Sequence, residues 1–318
     1  HKQDEKTNFQ LYYHQIPIII NSGYYRYNDS VADDNWDSRT WIASSYAKNL
    51  VIADPNYAEE ETFITHRWVT PDTTGFLELK SPFSSNEWCY RNNDYAFITP
   101  AIKEMQLDSN TGIKHAKVST EYNNESYDEI TRVNPIASGH PNAQVNRNFY
   151  KIPDEETYFI YDEVLNLSGI NHTYSDQIHL AVGCIPQLIN TSYPNLYKTS
   201  IPGNADKLYL AMGDNLGAST NCTTVPEAWD AGLDGWHTRI RTEPTALSTS
   251  NHSFLITLNI LDSDVTQFYT KKGSNYFITY RTIGNELTIA GVTNGASNIT
   301  VPGITPAFQT DAKFFYVC

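Results

Sequence analysis

Apolar and β-branched residues recur along this chain in short runs, and many of the runs alternate with polar residues in steps of two. Such alternation puts successive side chains on opposite faces of a pleated strand. Strands are therefore expected over 9–20, 40–45, 49–53, 62–69, 75–80, 95–99, 116–122, 157–167, 177–185, 207–212, 236–242, 253–261, 275–283, 286–292 and 313–318, all enriched in β-branched or aromatic residues. The run from Ser253 to Leu261 is almost continuously apolar, as a central strand covered on both faces requires. Asn294 and Gly295, Gly284 and Asn285, and the stretch Lys272, Gly273, Ser274, Asn275 supply turn chemistry between C-terminal runs. Consecutive hairpins of this kind build antiparallel meanders.

Helical signals are few. Thr99 and Pro100 can open a short helix through Met105 and Leu107, and Thr224 with Pro226 and Glu227 can open another, ended by Gly232 or Gly235. The expectation is an all-β chain: an antiparallel β-sandwich or jelly-roll-like stack of sheets with one or two short helices. One large β domain over 1–318 accommodates the whole chain. The turn-rich stretch 134–156 is a candidate boundary dividing 1–145 from 146–318, or else a long surface loop.

Composition narrows the setting. Only 18% of residues are charged, so Asn, Ser, Thr and the 22 Tyr must supply much of the wetted surface. A formal charge of −14 disfavours nucleic acid and anionic membrane surfaces as partners. The longest apolar run, Ile16 to Ile20, is strand-sized and too short to span a membrane. A start at His1, without Met or an apolar leader, reads as a processed terminus or an artificial boundary.

Cys89, Cys184, Cys222 and Cys318 form no C-x-x-C pair, which argues against zinc and redox motifs. An even, widely spaced set suits two disulfides of undetermined pairing, with four buried thiols as the alternative. Glycan acceptor sequons occur at Asn28, Asn124, Asn166, Asn171, Asn190, Asn221, Asn251 and Asn298, a moderate excess over chance. Together they predict an extracellular or surface-displayed product.

Several groupings carry candidate chemistry. His1, with a second imidazole from His66, His115, His140, His172, His179 or His237, has the donors for a copper clamp, although the polar start reads more simply as a tail. Asp33, Asn35 and Asp37 begin a calcium-loop pattern that fails at Ser38 and Ser44, leaving a solvated turn as the simpler account. His237, Arg239 and Arg241 share one face of a strand, a basic stripe for an acidic ligand or for internal pairing with Glu227, Asp230 or Asp234. Internal pairing is the preferred account. The acid groups Glu155 with Glu156, Asp162 with Glu163, and Glu125 with Asp128 and Glu129 have the residue type of glycosidase carboxylates but the spacing of ordinary surface acids. Tyr24, Tyr25, Tyr27, Trp36 and Trp41 are able to stack on sugars or to fill a core.

No nucleophile elbow, Walker loop, zinc-protease helix or dinucleotide fingerprint is present, and no cofactor is indicated. The leading expectation is a structural or attachment glycoprotein: a filament, coat or virion-spike subunit, or a glycan- or receptor-binding head. Its partners are then further copies, another surface protein or a glycan, with the 9–20 segment as a pairing edge. The alternatives are a secreted carbohydrate-active enzyme, copper-dependent through His1 or hydrolytic, and a soluble carbohydrate-binding module.

Overall fold

A computed structural model describes residues 7–21, 41, 44–65, 101–121, 143–153, 155–167, 169–189, 194–229, 233–244, 251–261, 268–283, 286–295, 297–301 and 308–317. In chain order the strands begin with β1 (Leu11–Tyr13), β2 (Ile16–Ile19), β3 (Val51–Ala53), β4 (Ala101–Leu107), β5 (Lys114–Glu121), β6 (Ala143–Lys151) and β7 (Thr157–Asn166). Next come β8 (Tyr174–Leu180), β9 (Gln187–Leu188), β10 (Leu196–Ser200), β11 (Lys207–Asp214), β12 (Thr220–Trp229), β13 (Leu233–Thr242) and β14 (His252–Leu261). The series ends with β15 (Phe268–Lys272), β16 (Tyr276–Ile283), β17 (Glu286–Thr293), β18 (Ser297–Ile299), β19 (Phe308–Thr310) and β20 (Phe314–Val317). An α-helix, α1 (Tyr57–Ile64), follows β3.

All sheets are antiparallel and stack in layers. A six-stranded sheet, β1-β2-β8-β13-β12 with β3 also on β8, packs on an eight-stranded sheet, β4-β5-β6-β7-β14-β11-β10-β9. The four-stranded sheet β15-β16-β17-β20 covers the other face, and the β18-β19 pair covers that sheet in turn. Alternation explains the layering. On β11, Leu208, Leu210 and Met212 enter the core shared with Ile18, Ile178 and Ile240, while Tyr209 and Ala211 enter the core shared with Phe268 and Phe277. β14 is buried along nearly its whole length because it lies inside the middle sheet, as its unbroken apolar run predicts. Gly213 admits the third layer closely: a Cβ there would stand 2.5 Å from the Phe277 ring.

Several local expectations are corrected. The 9–20 run is a hairpin, β1-β2, turned at His14 (φ 47°) and Gln15 (φ 67°). Both residues take the left-handed conformation that a tight hairpin needs, without the Gly or Asn that signals it. The 62–69 run begins as helix. Asn56 caps α1 by accepting from the Glu59 N–H (3.2 Å), and Glu59 and Glu60 sit at the positive end of its dipole. Residues 101–107 and 220–229, expected partly helical, are the edge strands β4 and β12. Residues 143–151, read as part of a turn-rich stretch, form β6, which joins β5 to β7. β18 leaves β17 after the Gly295 turn and pairs with β19. The expected runs 75–80 and 95–99 lie outside the described residues. Among the described residues no helix is long and apolar enough to cross a membrane.

Candidate functional site

The outer face of the six-stranded sheet carries a buried polar layer. β8 and β13 pair with His179 opposite Arg239 and Gln177 opposite Arg241, which puts Gln177, His179, His237, Arg239 and Arg241 on one face. The turn at 45–48 and α1 lie over it. The Gln177 amide donates to the carbonyls of Ser45, Tyr46 and Lys48 at 2.8–2.9 Å. Arg239 grips the Glu60 carboxylate with both terminal nitrogens, at 2.5 and 2.9 Å. Arg241 lies 3.6 Å from the centre of the Tyr57 ring and pairs with Glu243 at 2.7 Å.

The basic stripe is therefore turned inward and paired internally through its terminal nitrogens, while Arg239 Nε and Arg241 Nε are buried without a hydrogen-bond partner. Its partners are Glu60 and Glu243; of the expected acids, Asp230 lies outside the described residues, as do the side chains of Glu227 and Asp234. Within the layer His179 Nδ1 and His237 Nε2 are 2.7 Å apart. Burial, then the neighbouring His237 and Arg239, hold His179 well below the usual imidazole range. Burial and Arg239 push His237 down to about 3. Both rings are neutral at pH 7, one nitrogen donating its proton to the other's lone pair.

A second polar group lies between the two large sheets. Arg147 is fully buried, donating to Asp162 at 2.6–3.0 Å and to Asp176 at 3.0 Å. Asp162 and Glu163 are neighbours on β7 and point to opposite faces, Asp162 to Arg147 and Glu163 to Lys313. They cannot act as a carboxylate pair. Glu155 pairs with Arg281, and Glu156 accepts from Tyr158 at 2.5 Å, so these acids too are engaged separately. Glu125, Asp128 and Glu129 lie outside the described residues.

A groove of about 590 Å³ lies between the β1 segment and strands β4 to β7 of the middle sheet. Phe149, Ile160 and Leu258 from the middle sheet, Phe9 and Leu11 from the β1 side, and Met105 and Leu107 from β4 make its apolar lining. Met105 is 75% and Leu107 64% exposed, so this wall faces solvent. Gln10, Gln106, Lys114, His115, Lys151 and Tyr158 add polar groups. The Lys151 ammonium sits 4.9 Å from the Tyr158 ring centre, and His115 stacks on Tyr150 at 4.5 Å. Sequence periodicity locates β5, β7 and β14 of this lining, but not β4, expected as helix, or β6, read as part of a turn-rich stretch.

Other predicted site residues are dispersed. Asn171, Asn251 and Asn298 are exposed, Asn166 and Asn221 half-buried, and Asn28, Asn124 and Asn190 lie outside the described residues. Where the sequence reading puts Cys184 and Cys222 in bridges, the structure holds both as free thiols, Cys184 in the core and Cys222 exposed on edge strand β12. Cys89 and Cys318 lie outside the described residues. Burial pushes the Cys184 thiol up to about 11 and also raises that of Cys222. Alkylation of the native chain, read by peptide mass, is expected to modify Cys222 and to reach Cys184 only after unfolding; resistance of both after unfolding without reductant would contradict free thiols. Trp41 is fully buried and donates its indole N–H to the Pro226 carbonyl at 3.1 Å, so it is a core residue. His1, His66, His140, the 33–37 turn, Tyr24, Tyr25, Tyr27 and Trp36 lie outside the described residues.

No protein-family model matches the chain, and no curated protein matches it. Solved structures do share its fold. Heparan sulfate lyase HepC from Pedobacter heparinus superposes with a TM-score of 0.56 at 10% identity, over 92% of this chain and 37% of the lyase. A heparinase III superposes with a TM-score of 0.54 at 12% identity, over 92% of this chain and 36% of that one. The chain thus spans little more than a third of the length of these proteins, and what it shares with them is the layered antiparallel β fold.

Proposed function

We infer that the chain is the β-sandwich portion of a secreted carbohydrate-active enzyme, and that the groove beside β1 and β4 holds part of an acidic sugar chain. The observation that carries this reading is the fold shared over 92% of the chain with enzymes named for heparan sulfate. The groove supplies chemistry to match. Phe9, Phe149 and Tyr158 offer flat apolar surface for the C–H faces of sugar rings. Lys114 offers an ammonium group for carboxylate or sulfate, Lys151, which pairs with Glu156 at 3.4 Å, lies beside it in the lining, and Gln10 and Gln106 offer amides for hydroxyls. In a chain of net charge −14, Lys114 at this groove favours an anionic ligand.

A second reading, self-association as a surface protein, is favoured by the exposed Ile102, Met105 and Leu107 on edge strand β4. One experiment separates the two. Titration calorimetry with heparan sulfate oligosaccharides is expected to show binding that a neutral oligosaccharide of equal length does not, and Lys114→Glu is expected to weaken it about tenfold, equivalent to ~1.4 kcal/mol. Equal binding of neutral chains, or an unchanged Lys114→Glu variant, refutes the glycan groove. A dimer in light scattering that oligosaccharide fails to dissociate favours association through β4.

A further inference from the structure

Away from the groove, five side chains gather between the large sheets where β3, β8, β11 and β14 meet. Asp54 follows β3 in a left-handed conformation (φ 49°), which Asp tolerates better than most residues. Its carboxylate accepts from His172 Nδ1 at 2.6 Å, from the Thr173 N–H at 2.8 Å and from the Thr173 hydroxyl at 3.3 Å. Because the carboxylate can only accept, the His172 proton sits on Nδ1. In the neutral ring Nε2 is then a lone pair, and that atom is buried without a hydrogen-bond partner.

Two residues on, Tyr174 is fully buried, and its hydroxyl also lacks a partner. Its ring lies edge-on to His172, centres 6.5 Å apart, and edge-on to His252 at 5.8 Å. His252 repeats the arrangement of His172: its Nε2 is 2.8 Å from Asp214 Oδ2, and Asp214 Oδ1 is fixed by the N–H groups of Leu216 and Ala218. Its Nδ1 is the nitrogen left over.

Buried polar atoms are nearly always paired, so two orphans on side chains whose rings are in edge-on contact point to a bound species. We propose that this species is a late first-row divalent cation, of the copper or zinc class, held by His172 Nε2 and Tyr174 Oη with His252 Nδ1 as third donor.

Two features select a cation over water alone. Each imidazole is anchored by a carboxylate on its far nitrogen, the arrangement that orients metal-bound histidines and raises their basicity. The donor set, imidazole nitrogen with phenol oxygen, suits copper and zinc rather than calcium or magnesium. Among the described residues no three His, Cys, Asp or Glu side chains converge as ligands, so the phenol is what completes this set.

The test uses the whole chain, stripped with a chelator and titrated with CuCl₂ or ZnCl₂. The expected result is one equivalent retained after desalting, a higher melting temperature, and with Cu²⁺ a visible phenolate-to-copper absorption band. Tyr174→Phe is expected to abolish the band and weaken binding at least tenfold, while leaving the metal-free melting temperature no lower. His172→Gln is expected to weaken binding similarly. If that variant fails to fold, Tyr174→Phe, which removes one partnerless oxygen, still decides. No retained metal overturns the proposal, and so does a Tyr174→Phe protein with unchanged stoichiometry and spectrum, since the ion then sits elsewhere, as on the imidazoles of His14 or His115.

Discussion

Replacing Arg147 by Met is expected to destabilise the chain by about 3–5 kcal/mol, which lowers the melting temperature by roughly 10 °C for a chain of this size. The guanidinium is entirely out of water. Besides its bonds to Asp162 and Asp176, it donates to the carbonyls of Thr7 at 2.8 Å and Asn49 at 2.5 Å. It thus ties the entry to β1 and the approach to β3 to two strands of different sheets. Burial opposes its charge, but Asp162 and Asp176 outweigh burial and keep it protonated. A methionine fills much of the volume and leaves two carboxylates facing each other.

Asp176 would take up the proton, since burial and the Asp162 charge already hold its carboxyl well above the ordinary range. Chemical denaturation of the single variant, and of one in which Asp162→Asn and Asp176→Asn are added, measures the effect. The added changes are expected to restore part of the loss. A single-variant loss below about 1 kcal/mol, the value of an exposed pair, would mean that this buried network does not hold the sheets together.

The second large effect is acid lability. His237 has its folded-state pKa depressed from 6.5 to about 3, so below pH 6.5 the unfolded chain binds a proton that the folded chain refuses. The stabilisation is complete above pH 6.5 and is lost as pH falls towards 3, amounting to roughly 3–5 kcal/mol from this residue at ~1.4 kcal/mol per unit. His179, depressed by the same burial, adds to the slope. Glu60 and Asp176 work the other way: burial raises both carboxyls, so they favour the folded state as pH falls. Denaturation midpoints between pH 7 and pH 3.5 for the wild type and His237→Gln isolate the histidine. The variant is expected to be less stable at pH 7 and to have a shallower acid slope. Equal slopes would show that His237 titrates normally.

Much of the architecture is legible in the sequence because the pleat writes itself as a period of two. The 157–167, 207–212 and 253–261 runs are strands at nearly their expected bounds. Proline is ambiguous at two of the corrected elements. Pro100 and Pro226 fit the first turn of a helix, yet one immediately precedes β4 and the other lies within β12, both sheet edges. A missing N–H breaks no ladder on the open side of an edge strand, so the same residue serves either context. Phe63 and Ile64 belong to a helix because the cap at Asn56, seven residues before Phe63, decides the matter, not their own alternation.

The site was less visible. His237, Arg239 and Arg241 do share a face, as period two demands, but whether that face is wet depends on α1 and the 45–48 turn covering it. His172 and Tyr174 stand out only when Asp54, more than a hundred residues earlier, is brought to them by the pairing of β3 with β8. No local pattern carries that information.

The middle sheet has one further consequence. Because its inner strands are greased on both sides, each neighbouring layer doubles as the lid of a separate oily compartment, and those compartments share a common wall. Stripping away either lid bares a broad sticky plane that water will not tolerate. The laminate is therefore expected to hold or fail as a single body, with its tolerance for change greatest at the margins: loops, rims and the strands at either border.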